Sequence, residues 1–191
     1  MKKKRKHRTA YQKATANLEK ESRRQCIGLY GSAAIALSRY HNKGKQAIIN
    51  LFEVTGSIWH DCAESDTKSM IELCYRETGI EIQNETGKSW EELTYLNGTI
   101  DERKMSTAQW VYMRQRQYKW VAPQIMACLM IALHRKYGYG FERCARVYSQ
   151  IDAIRNEYGN DYRKIHDICM KETCINVEDI YTTPRRKEED G

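Results

Sequence analysis

A chain of 191 residues, 41% hydrophobic and 30% charged, holds enough apolar material for one large core or two small ones and too much for a disordered polypeptide. Only 2 prolines and 11 glycines interrupt it, which favours long helices. Of the net charge of +7, Lys2, Lys3, Lys4, Arg5, Lys6 and Arg8 supply all but +1, so the basicity belongs to an N-terminal arm over residues 1–8. Such an arm either attracts phosphate backbones without reading sequence or is a solvated tail.

The basic start leads into a polar segment rather than an apolar one, and the longest apolar run, residues 125–133, is too short to span a bilayer. The 7 cysteines are odd in number and several fall in apolar helical stretches, which reads as reduced, buried thiols. These features predict a cytoplasmic protein with no membrane partner.

After the arm, Thr9 and Gln12 form a capping box for a polar helix. Its thin stripe of Tyr11, Ala14 and Leu18 suits a surface extension over 9–23. Residues 25–40 are apolar and rich in small side chains. There Gly28, Gly31, Ser32, Ala33 and Ala34 allow close approach of another helix. A corner follows at His41-Asn42-Lys43-Gly44, then an amphipathic helix over 45–62 weakened at Gly56. A third helix over 67–77 is capped by Asp66 and stopped by Gly79, and 80–82 form a short extended piece. A linker over 83–118 contains a short helix at 90–96 opened by Ser89 and Glu92, and a turn at Asn97-Gly98. Ser106 and Gln109 then form a capping box for a longer helix that Pro123 kinks or restarts.

The segment from 121 onward repeats the first. At an offset of 96, Ala36-Leu37 matches Ala132-Leu133, Arg39 matches Arg135, Gly44 matches Gly140, Phe52 matches Tyr148 and Ile58 matches Ile154. At an offset of 95, Asp66 matches Asp161, Lys68 matches Arg163, Cys74 matches Cys169, Glu77-Thr78 matches Glu172-Thr173 and Ile80 matches Ile175. This order of matches predicts an all-α protein made of two internally duplicated three-helix units, 24–82 and 119–177. Their apolar long helices pack together in one pseudo-two-fold domain, followed by a polar tail over 178–191.

Chemistry is less legible. Trp110, Tyr112, Arg114, Arg116, Tyr118, Lys119 and Trp120 interleave aromatic and basic groups. They serve phosphate binding and base stacking, or else anchor a linker helix with the cations in water. The two corners admit a helix-turn-helix reading in which Lys45 and Gln46, or Glu142, Arg143 and Arg146, open a recognition helix; helical hairpins that bind nothing have the same form. His166, Cys169 and Cys174, with His60 and Cys62, lack zinc spacing, so no metal is expected. His134 reads as a satisfied boundary histidine. Glu77 and Glu172 read as partners of a backbone group or an arginine rather than an acid–base pair. Gly138-Tyr139-Gly140 follows a helix and lacks the third glycine of a phosphate loop. No catalytic residue or cofactor is expected.

The run Ala132-Leu133-His134-Arg135-Lys136-Tyr137-Gly138-Tyr139-Gly140-Phe141-Glu142-Arg143, followed by Glu172-Thr173-Cys174-Ile175, resembles a segment common in small helical proteins of Firmicutes phages and prophages. The shared pattern is A-L-H-x-x-[FY]-G-[FY]-G-x-x-R, then an E-x-G-I-like helix end. Cys174 departs from that glycine, which Gly79 retains in the first copy. The resemblance implies a mobile-element origin, and by context an anti-defence role such as a type II anti-CRISPR that binds a Cas9-type nuclease or its DNA-bound complex. A DNA-binding regulator of phage replication or transcription is the alternative, and a small nuclease the third. The partners implied are a CRISPR nuclease complex or DNA, with a homodimer as one oligomeric form. The residues expected to make contact are the arm cations together with Arg114, Arg116, Tyr118, Lys119, Arg143 and Arg146.

Overall fold

The computed structural model describes residues 10–62, 67–83, 106, 108–109 and 121–182. Among these the chain is all-helical: α1 (Ala10–His41), α2 (Lys45–Cys62), α3 (Thr67–Thr78), α4 (Val121–Tyr137), α5 (Phe141–Glu157), α6 (Tyr162–Thr173) and α7 (Val177–Thr182). No described helix is long and apolar enough to cross a membrane.

One segment in each of two helices is buried on every side, and the other helices wrap around them. Each residue of α1 from 26 to 37 is buried, and so is each residue of α4 from 125 to 133. A helix without a polar face must lie inside the core. The polar segment before Cys26 is continuous with the buried one: α1 runs unbroken from Ala10, with Ala14 and Leu18 half-exposed. Gly56 likewise leaves α2 uninterrupted. Pro123 sits in the first turn of α4, where a missing N–H removes no intrahelical bond.

The packing exchanges partners between the two halves. α1 packs mainly against α6 and α5, while α4 packs mainly against α2 and α3. The two buried helices also touch each other. Gly31 marks the closest crossing of α1 and α6, since a Cβ there would lie 2.8 Å from Cγ2 of Ile165.

Bidentate ion pairs span the same exchange. Arg39 Nε and Nη2 donate to Glu172 at 2.8 and 2.6 Å. Arg135 Nε and Nη2 donate to Glu77 at 2.9 and 2.6 Å. Hydrogen bonding from the guanidinium is the main cause that holds each glutamate below its ordinary pKa. Arg39 also reaches the Tyr158 hydroxyl at 3.0 Å and Glu157 at 3.5 Å.

The ends of α3 and α6 are built alike. Thr78 donates to the Cys74 carbonyl at 2.7 Å and accepts from the Ile80 N–H at 3.2 Å. Thr173 donates to the Cys169 carbonyl at 2.8 Å and accepts from the Ile175 N–H at 3.2 Å. The next residue is left-handed in each case, Gly79 at φ +73° and Cys174 at φ +55°. After Gly79 the chain alternates without a strand ladder, Ile80 and Ile82 inward and Glu81 outward. Asp161 caps α6 through the N–H groups of Arg163 and Lys164 at 3.0 and 3.4 Å. Ser106 and Gln109 make the reciprocal capping box, Ser106 N–H to Oε1 at 3.0 Å and Gln109 N–H to Oγ at 3.3 Å. Thr9, Asp66, Ser89, Glu92 and Asn97-Gly98 lie outside the described residues.

Candidate nucleic-acid interface at the paired corners

The corner that ends α1 and the corner that ends α4 meet. Each reverses the chain through one left-handed residue, Asn42 at φ +50° and Gly138 at φ +63°. Each also returns a backbone N–H to the helix it leaves, Lys43 to Leu37 at 3.0 Å and Tyr139 to Leu133 at 3.4 Å. His134 Nδ1 lies 2.9 Å from the Tyr139 carbonyl, so this histidine fastens its own corner.

Between the corners sits an aromatic cluster. The Tyr137 hydroxyl donates to the Ala47 carbonyl at 2.9 Å, which ties the end of α4 to the start of α2. Tyr139 is buried, with its ring centroid 6.0 Å from that of Tyr137 and 5.8 Å from that of His41. His41 Nε2 reaches Gln150 of α5 at 2.7 Å. Burial raises the Tyr137 pKa, so its hydroxyl keeps its proton.

Two cations close over the cluster from opposite halves of the chain. Lys43 Nζ stands 4.0 Å from the Tyr137 ring centre and 5.9 Å from that of Tyr139. The Arg143 guanidinium lies 5.7 Å from the Tyr139 centre. Cations at these distances gain from the negative ring faces, and the rings fix their positions. Lys45, Lys136 and Arg146 are exposed on the adjoining turns, as is Glu142. Among the described residues, Lys43, Lys45, Lys136, Arg143 and Arg146 have no carboxylate within ion-pair distance. Five cations at one end of a nearly neutral body make a surface suited to a phosphate backbone.

Arg143 and Arg146 therefore belong to this end of the molecule. Lys2, Lys3, Lys4, Arg5, Lys6, Arg8, Arg114, Arg116, Tyr118 and Lys119 lie outside the described residues, as do Trp110, Tyr112 and Trp120. Lys43, Tyr137 and Tyr139 were not singled out from the sequence as contact residues. The signal available was that each corner carries a cation or an aromatic beside its left-handed residue.

The cysteines and histidines are dispersed. Among the described residues no three His, Cys, Asp or Glu side chains converge to hold a metal. Cys169 is buried against Thr173, Cys174 is exposed, and His166 Nε2 contacts Asn176 at 3.1 Å. None of the seven cysteines, all of them described residues, is in a disulfide. Burial pushes Cys74 up to about 12 and Cys144 and Cys169 up to about 11, so these thiols are neutral and poor nucleophiles at neutral pH.

Among its described residues, then, the chain is an all-helical scaffold with a basic, aromatic-braced end. Comparison with family models, curated proteins and solved structures found no match.

Proposed function

We propose that this chain is a non-enzymatic binding protein of phage or prophage type that docks on nucleic-acid phosphates, free or within a nucleoprotein complex, through its paired corners. The observation that carries this reading is the convergence of Lys43 and Arg143, from opposite halves, on Tyr137 and Tyr139. Long cations braced on aromatic rings give up less side-chain entropy on binding than free ones.

The scaffold is an internal duplication with pseudo-two-fold packing in this proposal. The pairs Arg39–Glu172 and Arg135–Glu77 join residues that match at offsets of 96 and 95, each bridging from one unit to the other. The twin threonine-locked helix ends and the twin left-handed corners support the same relation.

The specific partner we favour is a Cas9-type CRISPR nuclease complex, inhibited in the host cytoplasm. Its support is the sequence resemblance, together with a basic end that suits the exposed backbone of a guide–target complex. A DNA-binding regulator is the second reading, favoured by two helix–corner–helix elements brought side by side, with Lys45, Gln46, Glu142, Arg143 and Arg146 opening the second helix of each. Pull-down with purified Cas9 complexes, beside titration of duplex DNA alone, separates them. An inhibitor is retained by the nuclease complex and blocks cleavage. A regulator binds DNA without it and prefers one site. Retention by neither, at micromolar concentration, sinks both readings.

A further inference from the structure

A second feature lies at the middle of α1 and the far end of α5, about 20 Å from the corners at the helical rise of ~1.5 Å per residue. There the polar part of α1 meets the end of α5 and the start of α6 around an open cleft of about 550 Å³. That volume is in the usual range for small-molecule sites, roughly 300–1,000 Å³. A smaller recess of about 110 Å³, reaching Leu29, Met126 and Tyr148, shares the walls Asp152 and Arg155 with it.

The walls carry hydrogen-bonding groups of both kinds. Arg24 Nη1 is held by Glu21 at 3.2 Å and its guanidinium lies 5.3 Å from the Tyr162 ring centre. Its Nε is shut off from solvent and has no acceptor among the described residues. The side chain as a whole is 33% exposed where it lines the cleft, and its guanidinium suits an anionic oxygen there. Opposite in character, the half-buried Asp152 carboxylate is pushed up in pKa by burial, against the pull of Arg155. Donors from a ligand would stabilise its charged form. The exposed amides of Asn156 and Asn160 offer paired donors and acceptors on the same lining.

A small ligand with an anion at one end and a donor–acceptor edge at the other answers this set. At the positions matching Asp152, Arg155 and Tyr162, the first half has Gly56, Trp59 and Thr67, so the second half alone presents these groups. We propose that the cleft is a nucleotide site, one per chain. Arg24 and Arg155 hold the phosphate, while Asp152 with Asn156 and Asn160 read the edge of the base. This goes beyond backbone docking at the corners and does not depend on it.

Isothermal titration of the full chain tests it, using the four ribonucleoside 5′-monophosphates, the unphosphorylated nucleosides and inorganic phosphate as separate ligands. The expected result is saturable one-to-one binding of at least one monophosphate, weaker for its nucleoside and for phosphate alone. Arg24→Lys keeps the charge but removes the planar guanidinium fork, and should weaken binding about tenfold or more. Asp152→Asn should change the order of preference among the four bases. Asn156→Ala, at an exposed helix position, should weaken binding measurably, and serves if circular dichroism shows that Arg24→Lys does not fold. No saturation by any monophosphate up to millimolar concentration overturns the proposal. So does phosphate binding as tightly as the nucleotide, or binding unchanged in the folded variants.

Discussion

Cys174 is a non-glycine residue at a backbone position that its counterpart fills with glycine. Its φ of +55° and that of Gly79 at +73° follow the same threonine-locked helix end. A side chain in the left-handed region costs about 1–2 kcal/mol. Replacing Cys174 by glycine removes that cost but gives the unfolded chain more freedom, which subtracts about 0.4–1 kcal/mol. The exposed thiol is a small loss. Cys174→Gly should therefore stabilise the fold by about 0.5–1 kcal/mol, or raise Tm by roughly 2 °C for a chain of this size. Gly79→Ala should do the reverse by a similar amount or more. Its new Cβ would also come to 3.0 Å from Cδ2 of Phe141, an exposed ring that can shift. Urea and thermal unfolding of both variants against the parent decide the matter. A destabilising Cys174→Gly, or a Gly79→Ala that is neutral or stabilising, would refute the reasoning that backbone conformation dominates at these two sites.

Other substitutions probe the core and the ion pairs. Ser32 is fully buried and its hydroxyl has no partner among the described residues, so Ser32→Ala should stabilise by about 1 kcal/mol, read as a higher urea midpoint with an unchanged slope. Gly31→Ala drives a methyl into Ile165. Overpacking of about 1–3 kcal/mol should outweigh a helix-propensity gain of about 1 kcal/mol, giving a lower midpoint. Glu77 and Glu172 have folded pKa values lowered by their arginines, so their contribution is complete above the ordinary glutamate pKa of about 4.3 and fades as pH falls through the lowered folded values. A Glu77→Gln/Glu172→Gln double variant should be less stable at neutral pH and show a flatter loss of stability on acidification. An acid profile parallel to the parent's would show that the pairs do not couple to folding.

The helices were largely legible because each is bounded by strong local signals. The breaks at Asn42–Gly44 and Gly138–Gly140 open α2 and α5, and the apolar runs identify the buried segments of α1 and α4. The small residues at Gly28 and Gly31 announced a close crossing, though not that α6 makes it. What the periodicity could not carry is which helix packs on which. Arg39 finds Glu172 133 residues away, and nothing near either residue specifies the other. The corner cluster was hidden for the same reason: Lys43 and Tyr137 become neighbours only when α1 and α4 end side by side. The cleft at Arg24 and Asp152 likewise joins α1 to α5 across most of the chain.

The central claim is that the paired corners engage a phosphate backbone, and the salt dependence of binding tests it most directly. Affinity for duplex DNA and for a DNA-bound nuclease complex would be measured across a salt series for the parent and for Lys45→Ala/Arg143→Ala/Arg146→Ala. Each phosphate contact contributes about −0.9 to the slope of log K against log salt on duplex DNA, so the triple variant should lose roughly 2.7 from its magnitude and bind more weakly at every salt concentration. An unchanged slope and affinity in a folded triple variant would contradict the account and place the binding surface elsewhere on the chain.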